Sequence, residues 1–124
     1  MTIKIEKWAS ISDQRYTDGK GKYVISNLHK RVENLEVKEM PIEHLNIYNI
    51  DFKADTIKKF VSHMKAIIEA DLLFPIILDD EGYIMDGRHR IAKTLLENRE
   101  TIKYVRFEET PNPDYYIKDN DDKD

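Results

Sequence analysis

Five consecutive residues, Asp86 to Arg90, combine the side chains that anion binding requires. They read Asp-Gly-Arg-His-Arg and stand at the predicted start of a helix, where the first backbone N–H groups have no partner within the helix. The helix dipole makes such an end electropositive, and phosphate groups bind there. Gly87 permits close backbone approach, and Arg90, with Arg88 beside it, can offer paired donors to phosphate oxygens. The pattern favours a phosphate site over the alternative, a turn whose arginines are simply solvated.

Asp86 and His89 are the candidates for further chemistry within this motif. Asp86 directly precedes the glycine and can cap the helix, and the same carboxylate can also reach a magnesium ion. His89 can donate or shuttle a proton, or it can be a buried imidazole with a satisfied hydrogen bond. The sequence leaves these alternatives open.

The other candidate ligands have simpler interpretations. His29, His44 and His63 lack the spacing of metal ligands and are predicted to be surface or packing residues. The acidic run 79–81 falls between two predicted strands, where polar turn residues are common. The chain has no cysteine, which excludes disulfides, thiolate metal sites and thiol catalysis.

Hydrophobic periodicity predicts an α/β (α+β) fold, a small mixed sheet flanked by two helices. Apolar residues three and four apart predict a helix over 55–70, with Asp55 as its N-cap, and a second helix over 88–97, with Asn98 as a left-handed cap. A further short strand is possible at 22–26. The predicted strands of the sheet are 35–40, 76–78, 83–85 and 101–107.

The length of 124 residues favours one domain with tails. Residues 1–34 are predicted to be a partly irregular N-terminal extension, 35–107 the domain, and 108–124 an acidic tail. The tail carries seven acidic residues and two lysines, and the rest of the chain has a net charge of about +1. Such a tail is predicted to be solvated, and the chain from about Asp114 onward is predicted to be dispensable for folding, so that deletion of 118–124 leaves the melting temperature nearly unchanged.

Composition also limits the classes of function. No apolar run is long enough to span a bilayer and no secretion signal is evident, so a cytoplasmic protein without a membrane partner is expected. The charge balance does not predict strong DNA binding.

Residues 72–107 resemble the core of the ParB/sulfiredoxin superfamily, and the likeness extends back to about residue 35. That superfamily places a glycine and a basic or His-Arg pair at the start of a helix after a short strand. Here "MDGRHR" matches the Asp-Gly-X-His-Arg form of its small, stand-alone members, and "LLFPI" matches its Pro-Ile strand. The motif alone is weak, but the motif together with the order of elements is more specific.

The resemblance implies a nucleotide site. Members hold the phosphates of ATP or CTP, often with Mg²⁺, against the loop that corresponds to Gly87, Arg88, His89 and Arg90. In the free-serine kinases of the superfamily the aspartate of this motif is catalytic, which implies a catalytic role for Asp86 and a magnesium contact. Those enzymes also use a glutamate after the first strand as base. The corresponding segment of this chain, 46–52, has Asn49 and Asp51 and no glutamate, so Asp51 is the candidate base or metal contact.

This chain differs from members of the superfamily at two points, and each difference excludes one activity of the superfamily for this chain. Sulfiredoxin requires a cysteine where this chain has Arg88, so reduction of a sulfinic acid is excluded. Partition proteins continue into a DNA-binding module, for which the seventeen residues after Phe107 leave no room. Two functions stay open: an enzyme that transfers the phosphate of a nucleotide to a small-molecule acceptor or hydrolyses it, and a non-catalytic module acting on a protein or DNA partner. Nuclease activity is less favoured.

Overall fold

The computed structural model describes residues 15–17, 21–48, 52 and 54–116. Three helices and seven strands follow one another along these residues. The strands are β1 (Arg15–Thr17), β2 (Gly21–Val24), β3 (Lys38–Pro41), β4 (Ile76–Leu78), β5 (Ile84–Asp86), β6 (Thr101–Arg106) and β7 (Tyr115–Tyr116). The helices are α1 (Ile25–Arg31), α2 (Ile57–Glu69) and α3 (Arg88–Leu96), and a 3-10 turn covers Ile42–His44.

The central sheet is mixed, with strand order β3-β6-β4-β5. β3 pairs with β6 and β5 with β4 in antiparallel directions, whereas β4 and β6 are parallel. A smaller antiparallel sheet has the order β1-β2-β7. The prediction of a small mixed sheet with flanking helices is confirmed, and each predicted strand and helix lies within three residues of its observed bounds.

The central sheet separates two hydrophobic clusters because side chains alternate between its faces. In β4, Ile76 and Leu78 face the cluster that contains Ile91 of α3. Between them, Ile77 faces the opposite cluster, which is formed with α1 and β2. The second cluster consists of Tyr23, Ile25, Leu28, Ile77, Met85, Val105 and Phe107.

Residues 21–31 therefore supply three of the seven residues of this second cluster. Tyr23 and Leu28 are almost completely buried, although the sequence pattern placed them in a partly irregular extension. The possible strand at 22–26 ends at Val24, and the chain continues as α1. A helix of seven residues is too short to show a clear apolar stripe, so its burial depends on contacts distant in sequence. The domain boundary at residue 35 stays a prediction.

The N-cap of helix α2 lies one residue later than predicted. Thr56 is the N-cap, and its hydroxyl accepts a hydrogen bond from the Lys59 N–H at 3.1 Å. Asp55 instead pairs with the Lys59 ammonium. At the other end, the Lys93 ammonium donates to the carbonyl oxygens of Ile68 and Ala70, so a cation satisfies the C-terminal end of α2. The apolar residues Ile57, Phe60, Met64 and Ile68 remain exposed.

The first part of the predicted acidic tail contacts the domain. β7 pairs with β2, and the Asp114 carboxylate accepts hydrogen bonds from the Val24 N–H at 2.7 Å and from the Asn27 side chain at 3.2 Å. The Arg31 guanidinium also pairs with Asp114. Residues 110–116 thus hold the start of α1, in contrast to the solvated tail expected from residue 108. Residues 118–124 lie outside the described part of the chain.

Every helix among the described residues is too short or too polar to cross a membrane.

Candidate functional site

The predicted phosphate motif forms the connection from β5 to α3. Asp86 is the last residue of β5, Gly87 is the N-cap of α3, and the first intrahelical bond runs from the Ile91 N–H to the Gly87 carbonyl oxygen at 2.9 Å. The N–H groups of the first helical turn therefore point out of the helix at this end. The structure confirms the helix start on which the phosphate prediction depends.

Gly87 has a backbone conformation that other residues rarely adopt. Its φ is 115° and its ψ is 18°, in the left-handed region. A Cβ atom at this position would collide with the Ile76 side chain and would lie 3.1 Å from Nη2 of Arg90. The glycine thus allows β5 to turn into α3 directly against the central sheet.

The Asp86 carboxylate is the centre of an ionic network. Its Oδ2 atom lies 2.8 Å from Nε2 of His29 and 2.9 Å from Nη2 of Arg90, and its side chain is 13% exposed. Burial raises the pKa of Asp86, but hydrogen bonds from His29 and Arg90 and the guanidinium charge lower it by more, so the net pKa lies below its usual value. Asp86 is ionised at neutral pH. It does not cap α3, since no side-chain bond caps that helix.

Arg90 is an internal partner of Asp86 and not a solvent-exposed cation. Its side chain is 16% exposed, and its Nε atom is buried without a hydrogen-bond partner among the described residues. Since one guanidinium nitrogen already bonds the carboxylate, Arg90 adds little net charge to the helix start.

His89 belongs to an aromatic cluster beside the network. Its Nε2 atom lies 2.9 Å from Nδ1 of His63 on α2, and its ring stacks on Phe52 at a centroid distance of 5.0 Å. Burial, and after it the neighbouring His63, Arg90 and Arg88, lower the pKa of His89 to about 4 against the opposing effect of Asp86. His89 is therefore neutral at pH 7 and supplies no positive charge for a phosphate.

Arg88 is the exposed basic residue of the motif. It takes part in none of the ion pairs found among the described residues. Arg88 also borders a small, mainly apolar cleft of about 80 Å³ along α3. The cleft is lined by Asn46, Ile47, Phe52, Ile84, Arg88, Ile91, Ala92 and Leu95. Its volume suits one ring or a short apolar group and is smaller than that of a pocket enclosing a whole ligand.

Metal ligands are scarce around Asp86. Among the described residues no group of three or more His, Asp or Glu side chains could hold a metal ion. Oδ2 of Asp86 already accepts two hydrogen bonds, and the Arg90 guanidinium balances its charge, so the carboxylate does not fit a resident magnesium ion. Asp51, the predicted base or metal contact, and Asn49 lie outside the described residues.

Sequence analysis did not identify two residues of the site. His29 and His63 were interpreted as surface or packing residues, yet His29 bonds Asp86 and His63 bonds His89. These contacts join residues 57 and 26 positions apart, and no local pattern marks them. The acidic run 79–81 is a turn, as predicted, in which Asp79 accepts hydrogen bonds from the N–H groups of Glu81 and Tyr83.

Fold and site together define a small α+β protein with an ionic network at the start of α3. No family model, curated protein or solved structure matches the chain in comparisons of all three kinds.

Proposed function

We propose that this protein is a ParB/sulfiredoxin-like domain that binds a nucleoside triphosphate, ATP or CTP, through its phosphates at the start of α3. One observation carries the proposal: Gly87, in a left-handed conformation, starts α3 beside an exposed arginine and an apolar cleft. The free N–H groups of the first turn and the helix dipole attract the phosphates. Arg88 supplies the positive charge that Arg90 and His89 do not.

The network around Asp86 supports this proposal by fixing the position of the loop. Arg90 bonds Asp86 from one turn into α3, and Gly87 packs on Ile76, so the N–H groups keep their positions without a ligand. Preorganised donors bind an anion at a lower entropic cost than mobile ones. Magnesium, in this proposal, arrives on the nucleotide phosphates, because the described residues do not fit a resident ion.

The cleft next to Arg88 is the proposed location of part of the ligand beyond its phosphates. Phe52 offers an aromatic ring and Asn46 a polar side chain at an otherwise apolar wall. Because the cleft is small, most of the ligand would stay open to solvent. Moderate affinity, in the micromolar to millimolar range, is the expected consequence.

Calorimetric titration with magnesium ATP, CTP and GTP tests the proposal. Arg88→Ala removes a charge-assisted contact and should weaken binding by about ten- to a hundredfold. Arg99→Ala is the matched control, because Arg99 follows the opposite end of α3 and pairs with Glu97. Equal affinities of both variants and the wild type would contradict the proposed site, as would the absence of binding at millimolar nucleotide.

A second candidate is a binding module without turnover, acting on a protein or DNA partner. It is favoured by the pairing of Asp86 with Arg90, which leaves that carboxylate less available for catalysis. Measurement of inorganic phosphate released from bound nucleotide separates the two candidates. An enzyme releases phosphate, whereas a binding module binds the nucleotide and releases no phosphate.

A further inference from the structure

His29 and Asp86 form a contact between parts of the chain distant in sequence. Nε2 of His29 lies 2.8 Å from Oδ2 of Asp86, and the two residues are 57 positions apart. Helix α1 holds the imidazole in place because its neighbours Ile25 and Leu28 are buried in the cluster that also contains Met85. The His29 side chain is 34% exposed, so the ring is anchored at one nitrogen and accessible to solvent.

The charge on Asp86 determines the tautomer of His29. An ionised carboxylate can only accept hydrogen bonds, so Nε2 of His29 must donate to it. The proton of a neutral imidazole is then on Nε2, and Nδ1 has the lone pair that can accept a proton. A histidine oriented by a carboxylate in this way is the arrangement that general bases use in many hydrolytic enzymes.

We propose that His29 is the general base of a nucleotide-hydrolysing reaction at the start of α3, with Asp86 as its positioning residue. This inference rests on the proposed nucleotide site and extends it from binding to catalysis. It also assigns a base to a chain whose segment 46–52 contains no glutamate. The base comes from α1, a helix outside the segment that resembles the superfamily.

The reaction is the attack of water on the γ-phosphorus. Nδ1 of His29 takes one proton from the water, whose oxygen forms a bond to phosphorus. The bond between that phosphorus and the bridging oxygen breaks, and its electron pair leaves on the nucleoside diphosphate. Asp86 stabilises the imidazolium that forms, while the N–H groups of α3 and Arg88 balance the charge on the phosphoryl oxygens. The products are a nucleoside diphosphate and inorganic phosphate.

The competing interpretation is that His29 and Asp86 are only a structural ion pair. Both interpretations predict that loss of the imidazole changes the free energy of unfolding, so stability alone does not separate them. A proton-transfer role has a further consequence: free imidazole in solution can restore part of the activity of a variant that lacks the ring. A structural role gives no such rescue.

The experiment measures phosphate release from magnesium ATP, CTP and GTP by the full chain. His29→Ala should lower the rate by about 10²- to 10⁴-fold, while calorimetry finds nucleotide affinity within about threefold of the wild type. Added imidazole should raise the rate of this variant and leave the wild type unchanged. His44→Ala, a change at an exposed histidine of the 3-10 turn, is the control and should retain full activity.

His29→Gln is a second variant, chosen because it should remain folded. Its amide N–H₂ group can still donate to Asp86 but cannot accept a proton from water, so we expect a folded and inactive protein. Undiminished turnover in either His29 variant, or loss of turnover in His29→Ala without imidazole rescue, would overturn the assignment. A wild type that binds nucleotide but releases no phosphate would overturn it and leave the proposed site intact. A wild type that binds no nucleotide would overturn both.

Discussion

The two arginines of the motif have different surroundings, and their roles differ accordingly. Arg88 is exposed beside the cleft, whereas Arg90 lies against Asp86 and is 16% exposed. The sequence indicated correctly that basic residues begin α3. It could not show which arginine is neutralised, because that depends on the direction of each side chain at the helix start.

Arg90→Ala should destabilise the protein. Removal of the guanidinium leaves the largely buried Asp86 with His29 alone, and we expect the free energy of unfolding to fall by about 1 to 3 kcal/mol. Urea denaturation measures this loss. Arg99→Ala, at an exposed ion pair, should change the value by less than about 0.5 kcal/mol. A stability of Arg90→Ala equal to that of the control would refute the internal role of Arg90.

The low pKa of His89 predicts a loss of stability in mild acid. The pKa is about 4 in the folded protein against 6.5 ordinarily, so between these values the unfolded chain binds a proton that the folded chain does not. Stability should fall as the pH decreases from 6.5 to 4 and gain nothing above 6.5. After allowance for solvent screening of this partly exposed ring, we expect a loss on the order of 1 to 2 kcal/mol.

Denaturation at pH 7, 5.5 and 4.5 tests this dependence, with His89→Gln as the comparison. The variant lacks the titrating group and should lose less stability over the same range. Asp86 does not contribute to this pH dependence. Its pKa is lowered from 3.8, so its contribution to the free energy of unfolding is lost only below that pH. The same pH dependence in both proteins would show that His89 is not the group responsible.

Among the helices and strands, local pattern predicted α2, α3 and the four strands of the central sheet but not α1, β1 or β7. The spacing of apolar residues placed α2 correctly, yet four of those residues are exposed because α2 contacts the rest of the protein mainly through α3. The motif residues 86–90 were predicted together because they are contiguous. The sequence did not predict α1 or the role of its His29. A short helix shows little periodicity of its own, and α1 is buried through contacts with β5 and β6, which are distant in sequence.

The turn from β5 into α3 should tolerate only glycine. Gly87→Ala combines a left-handed backbone with a collision against Ile76, and we expect it to lower the free energy of unfolding by about 2 to 4 kcal/mol. Gly82→Ala is the matched control, since Gly82 has a φ of 90° but no atom closer than 3.8 Å to an added Cβ. It should cost only the backbone strain, about 1 to 2 kcal/mol. Equal losses would mean that close packing on Ile76 is unimportant.

At the scale of the whole molecule, two distant segments complete the core and the site. β2 and α1 cover one face of the central sheet, and residues 110–116 hold the start of α1 through Asp114. Composition predicted the acidic character of the C-terminal segment correctly. It could not predict that one of its carboxylates caps backbone and side-chain donors 87 to 90 residues earlier.

Asp114 should therefore matter for folding, in contrast to the residues that end the chain. Asp114→Ala removes the acceptor for the Val24 N–H and the partner of Arg31, and we expect a loss of about 1 to 2 kcal/mol. Deletion of 118–124, a charged segment without apolar residues, should leave the melting temperature nearly unchanged. Thermal denaturation compares the two. If the deletion lowers the melting temperature strongly and Asp114→Ala leaves it unchanged, Asp114 is not important for folding and the residues 118–124 are.

Backbone amide chemical shifts, measured during titration with magnesium ATP or CTP, show whether phosphate binds at the start of α3. We expect the largest shift changes at the amides of Arg88, His89 and Arg90, with smaller ones at residues lining the cleft. In Arg88→Ala the same amides should shift only at about ten- to a hundredfold higher nucleotide concentration. Unchanged amide signals at millimolar nucleotide, or changes confined to another part of the protein, would contradict the account.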